Sequence, residues 1–291
     1  MRPFMVAGMS ATPPAQPRPP IPPRPPGREA HEHREMAESF GTDAGRYDRA
    51  RPSYPAALIE AIVLRSPGRQ VLDIGCGTGI AARQFQAAGC TVLGIDVDAR
   101  MAEVARQTGV PAEVAAFETW DPAGRTFDAV TAGQAWHWVD PVAGAAAARA
   151  LRPGGRLAPF WNVFQPGPEL GSAFATVDRQ VDPGAPGSFW DRNVLDLYAP
   201  GFAKTADGIA RAGVFGEPEQ WRYEWERHYT RDEWLDQLPT FGGYTRLPPD
   251  ELAKLLAAAG AAIDAMGGSF TMPYVTVAVT ARRCSAGEPA S

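Results

Sequence analysis

Apolar and polar positions along this chain follow two periods, and the switches between them outline an α/β architecture. Val71, Leu72 and Ile74 make a short apolar run with β-branched members, the pattern of a buried parallel strand. Residues 80–88 follow as an alanine-rich helical stretch around Phe85. A second apolar run closes at Asp96, and the helix expected over 98–107 has Asp98 placed as its N-cap. Further strands are expected at 113–116, 127–132 and 155–161, with helices over 56–64 and 142–150. Strands alternating with helices predict βαβ units and a parallel sheet.

The rhythm breaks after residue 165. A helix over 169–181 and a Pro/Gly loop over 182–187 lead to an aromatic and apolar cluster of Phe189, Trp190, Leu195, Leu197 and Tyr198. A helix over 205–212 should return the chain to the sheet. Residues 218–228 then alternate at period two through Trp221, Tyr223 and Trp225, as a half-buried strand does. Helices over 231–237, with Thr230 suited to its N-cap, and over 249–266 precede a last strand over 270–281. The final two strands lack a crossover of the usual βαβ kind.

Ten of the first 26 residues are proline, so residues 1–35 are expected to be a disordered or polyproline tail. One domain over 36–283 follows, with lid insertions around 165–204 and 231–266, and a flexible C-terminus over 284–291. The net charge of −5 supplies no basic footprint, so nucleic acid is not an expected partner. Cys76, Cys90 and Cys284 lack metal-ligand spacing, so no metal is expected, and reduced thiols suit a cytoplasmic protein. No apolar run reaches membrane-spanning length.

The candidate chemistry gathers where the first strand turns. Gly75, Gly77 and Gly79 form a tight turn that lets backbone approach a ligand. Asp73 breaks the apolar run before it, and a carboxylate there needs a partner. Asp96 follows Gly75 by 21 residues, about where a Rossmann-like unit places its ribose-binding acid. A dinucleotide fingerprint would put its third glycine at position 80, and Ile80 stands there instead, which argues against a nicotinamide-dependent oxidoreductase.

The spacing D-x-G-x-G-x-G over 73–79 resembles motif I of the class I S-adenosylmethionine-dependent methyltransferases. Phe127-Asp-Ala-Val130 resembles that family's fourth strand, and Leu151-Arg-Pro-Gly-Gly-Arg-Leu157 its turn into the fifth. The resemblance extends in order and spacing over roughly residues 38 to 283. It implies a Rossmann-like, doubly wound seven-stranded sheet whose last strand is antiparallel, with helical lid insertions. It also implies S-adenosylmethionine as the cofactor. Asp73, Gly75, Gly77, Gly79 and Asp96 would then border its amino-acid and ribose portions, and Val97 is a further cofactor-binding candidate. Met101, Phe117 and Glu118 would border the adenine, although Ala115-Ala116-Phe117 departs from the acidic residue many members carry there.

Gln134 should face the methionine end of the cofactor, because ligands of a doubly wound sheet bind beyond the carboxyl ends of its strands. His137, between Trp136 and Trp138, is the candidate base or positioning group, and one of the two tryptophans is expected to cover the following helix. Tyr47 and Arg51, in a segment that resembles the one preceding the core in small-molecule members, have an even claim to packing and to substrate contact. The aromatic WHW stretch resembles the small-molecule branch, which includes trans-aconitate methyltransferase-like enzymes. That branch implies a small-molecule acceptor methylated on a carboxylate or hydroxyl oxygen. C-methylation of a quinone-like or natural-product ring stays open, as does a non-catalytic S-adenosylmethionine-binding protein.

Overall fold

The computed structural model describes residues 39–139, 147, 149–181 and 188–285. The expected tail over 1–35, the loop 182–187, most of the helix 142–150 and residues 286–291 lie outside them. Of that helix, residues 147, 149 and 150 are helical.

Seven strands form one sheet in the order β3-β2-β1-β4-β5-β7-β6. They are β1 (Gln70–Ile74), β2 (Thr91–Asp96), β3 (Ala112–Val114), β4 (Phe127–Gly133), β5 (Leu151–Phe164), β6 (Glu219–Thr230) and β7 (Ser269–Arg282). β1 pairs in parallel with β2 and β4, so the strand order reverses between them and opens a crevice at their carboxyl ends. β7 is antiparallel to both β5 and β6 and is the sheet's antiparallel strand. Val71 to Ile74 and Phe127 to Ala132 are buried throughout, as strands covered on both faces must be. β6 instead alternates exposed and half-buried positions because it is the edge strand.

Helices α1 (Ala44–Ala50) and α2 (Ala56–Leu64) precede the sheet, and α3 (Ile80–Ala87) and α4 (Ala99–Gln107) are crossovers. Two apolar clusters form around the sheet, one with Leu72, Val130 and Trp161, the other with Leu58, Phe85 and Phe160. α5 (Pro168–Val181), α6 (Val194–Arg211), α7 (Arg231–Gln237) and α8 (Pro249–Ala265) complete the helices used below. α5, α7 and α8 contribute to a third cluster around Phe174, Trp234, Leu255 and Tyr274. α7 opens with a capping box between Thr230 and Glu233.

Two expectations need correction. The Arg152–Gly155 turn lies inside β5: between Phe127↔Leu151 and Ala129↔Arg156, β5 advances five positions while β4 advances two. Gly154, at φ +78°, absorbs that bulge. α6 begins at Val194, well before the expected 205. Asn193 caps it by accepting from Leu195 N at 3.1 Å, and Phe202 and Ile209 are buried, which outweighs the interior Pro200. No helix among the described residues is long and apolar enough to cross a membrane.

Candidate active site

Gly75 and Gly77 have φ of +60° and +56°, in the left-handed region that glycine enters without strain. A Cβ on Gly75 would stand 2.4 Å from the Ala135 Cβ, so the turn after β1 is pressed against the turn after β4. Asp96, the last residue of β2, ties this loop down. Its Oδ2 accepts from Gly77 N and its Oδ1 from Asp98 N, both at 2.8 Å. Burial raises the Asp96 pKa, and the backbone donors oppose that shift. The carboxylate has acceptor capacity beyond these two bonds, and Asp96 lines a cavity of about 820 Å³.

Gly75, Gly77, Val97, Met101, Phe117 and Glu118 line the same cavity. The Met101 Cε stands 3.4 Å from where a Cβ on Gly77 would be, so backbone and thioether make one smooth wall. A carboxylate acceptor on Asp96 beside this largely apolar wall fits a ribose diol joined to a flat base, as S-adenosylmethionine presents. Gln134 also lines the cavity. Its φ is +58°, unusual for a non-glycine residue, and it is held by its backbone N–H to Phe160 O (2.8 Å) and its amide to Asn162 O (2.9 Å).

Three expected site residues are not at the cavity wall. Asp73 is 1% exposed inside β1, where Thr131 Oγ1 donates to its Oδ1 at 2.9 Å. Burial lifts its pKa to about 7, opposed by that hydrogen bond. Gly79 is the left-handed N-cap of α3, with a Cβ position 3.0 Å from Val110. Trp136 is buried in the core, because the 3-10 turn Trp136–Trp138 sends successive side chains in different directions.

His137 and Trp138 face the cavity. Trp161 Nε1 donates to His137 Nδ1 at 3.2 Å, which leaves the proton of the neutral ring on Nε2. His137 is exposed by surface area and lines the cavity, and the protein packed around it lowers its pKa to about 4 by desolvation. The ordinary value near 6.5 expected for a base does not apply to this environment. Arg51 and Tyr47 also line the cavity. The Arg51 guanidinium lies 5.1 Å from the Tyr47 ring centre and 4.8 Å from that of Phe241, and it donates to Thr240 O at 2.5 Å.

The wall also takes in positions that sequence reasoning did not assign to the site, among them Phe164, Asp178, Trp190, Phe241, Tyr244 and Tyr274. The aromatic cluster around Trp190 was visible as a segment, and the pair Gly242-Gly243 between Phe241 and Tyr244 is a usable loop signal. Asp178, on an ordinary amphipathic helix, carries no such signal.

A family model described as a methyltransferase domain matches residues 72–158. The chain is 31% identical over 259 residues to an uncharacterized methyltransferase of Mycobacterium tuberculosis, covering 85% of this chain and 97% of that one. It is 33% identical over 173 residues to a malonyl-[acyl-carrier protein] O-methyltransferase of Enterobacter lignolyticus, covering 57% and 67%. A solved structure from Anaeromyxobacter dehalogenans, assigned as a type II methyltransferase, superposes with a TM-score of 0.59 at 25% identity. That match covers 80% of this chain and 97% of the other.

Proposed function

Because the chain belongs to the class I S-adenosylmethionine-dependent methyltransferases, we propose that it methylates an oxygen of a small organic acid, the acid facing Arg51 and His137. The bound cofactor supplies a methyl group on a sulfonium, with a neutral leaving group. Asp96 would accept from the ribose hydroxyls, and Gly75 and Gly77 would let the loop pass close beneath. Met101 and Phe117 pack on the adenine, with Glu118 and Val97 at its edge. Gln134 borders the methionine portion. Asp73 acts from beneath the loop and makes no contact through the cavity wall.

The observation that carries the acceptor reading is the bond from Trp161 to His137. With Nδ1 engaged and the ring neutral, His137 offers an Nε2–H donor and no ready basic nitrogen. A carboxylate is ionised at neutral pH and needs no base, whereas a phenol with a pKa of about 10 benefits from one. Arg51 supplies a cation for such an acid, held between two rings that limit its swing. The chain's remaining task is alignment: acceptor oxygen and methyl carbon about 3–3.5 Å apart, with water excluded by Tyr47, Trp138 and the aromatic wall. The relative named for O-methylation supports an oxygen acceptor.

The test is turnover of isotopically methyl-labelled S-adenosylmethionine against matched carboxylic acids, phenols and quinols. A base-labile methyl ester is expected. A base-stable ether or C-methyl product as the main outcome overturns the carboxylate reading.

A further inference from the structure

Asp178 projects from α5 into the cavity wall beside Trp190, Phe189 and Tyr244. Its Oδ1 accepts from the Tyr244 hydroxyl and its Oδ2 from Ser188 Oγ, both at 2.6 Å. Both partners are neutral. Among the described residues no arginine, lysine or histidine pairs with this carboxylate, and the adjacent Arg179 turns outward to Asp191 at 2.8 Å. The rings around it form a continuous wall. Phe164 lies 5.6 Å from Trp190 and 5.4 Å from Phe241 between centroids, and Phe241 lies 6.2 Å from Tyr244. Ring faces carry negative potential, so they disfavour a lone anion and favour a cation beside it. Asp178 is half-buried, and a carboxylate held there by hydroxyls alone leaves its charge available to a cation in the cavity.

We propose that Asp178 and the surrounding rings form a subsite for an ammonium group on the acceptor, which makes the acceptor zwitterionic. This rests on the small-acid reading above. Arg51 lies over Phe241, and Tyr244, the next ring along, holds Asp178. Opposite charges thus flank one aromatic pair, as an amino acid-like molecule with separated ends requires. Tyr244 is a fixed donor in this arrangement. Burial raises its pKa, and the neighbouring Asp178 charge raises it further.

The competing account is that Asp178 only clips Ser188 and the 188–191 turn to α5. Asp178→Asn separates the two, since an amide of the same shape can still accept from Tyr244 and bond Ser188 while losing the charge. Protein loaded with S-adenosylhomocysteine is titrated calorimetrically with para-(aminomethyl)benzoate, para-ethylbenzoate and para-methylbenzylamine. The wild type should prefer the aminomethyl acid over the ethyl acid by about tenfold or more. In Asp178→Asn that preference should vanish or invert, with S-adenosylhomocysteine affinity unchanged. Equal binding of the two acids by the wild type, an undiminished preference in the variant, or no binding of any probe overturns the proposal. The wild-type comparison decides alone should the variant not fold. If the benzylamine binds in an Asp178-dependent way and neither acid binds, the cation subsite stands and the carboxylate reading falls.

Discussion

Trp161 directs its indole N–H at Nδ1 of His137, 3.2 Å away, and so selects the tautomer that this imidazole carries. The two residues come from different strand ends, Trp161 within β5 and His137 in the turn beyond β4. The imidazole is thereby set up as a donor toward the cavity.

His137→Ala is expected to lower the methyl-transfer rate by about tenfold to a hundredfold through lost positioning, less than removal of a base can cost. Affinity for S-adenosylhomocysteine should persist. With the wild-type ring pKa near 4, the imidazole stays neutral across the physiological range, so the rate should be flat between about pH 5.5 and 8.5. A pH–rate profile with a limb near 6.5 that disappears in His137→Ala would make the residue a base after all.

Asp96→Ala removes the anchor of Gly77 and Asp98 together with the proposed ribose acceptor. Cofactor affinity by calorimetry should fall by about 2–4 kcal/mol, the scale of two charge-assisted hydrogen bonds. Unchanged affinity would place the ribose elsewhere.

Asp73 has a folded-state pKa of about 7 against an ordinary 3.8, so the folded protein holds its proton longer than the unfolded chain. Between those values the unfolded state ionises first, and stability falls as pH rises, with a slope of at most about 1.4 kcal/mol per pH unit from this group. Asp73→Asn should flatten that part of the stability–pH curve measured by denaturant unfolding from pH 4 to 7. An identical slope in the variant would mean that Asp73 is ionised throughout.

Gly75→Ala should destabilise by about 2–4 kcal/mol, since it combines a left-handed backbone with overpacking against the Ala135 Cβ at 2.4 Å. Gly77→Ala, with 3.4 Å to a flexible Met101, should cost less. Adding Ala135→Gly should recover the overpacking part of the first loss only. Thermal melts of the double-mutant cycle measure the coupling, and strict additivity would show that the two turns are not in contact.

What the sequence determined by itself is the local, periodic and spaced information. β1 to β4 and their crossover helices were legible because a buried strand must be apolar and a helix must repeat at its own period. The cofactor loop was legible because Gly75, Gly77 and Asp96 are placed by one βαβ unit, with short connections that leave little freedom. Even the capped helix at Thr230 and the edge-strand alternation of β6 were local facts. The tertiary structure decided what depends on contacts between distant segments. Trp136 and Trp138 look equivalent in sequence, and only the 3-10 turn sends one to the core and the other to the cavity. Asp73 and Asp96 are both strand carboxylates, yet one hides behind Thr131 and the other opens to the cavity. The far wall of the cavity joins Arg51, Asp178, Phe241 and Tyr274, which lie on four separate segments. No period or spacing relates such residues, because their neighbourhood exists only once the helices after β5 have packed over the end of the sheet.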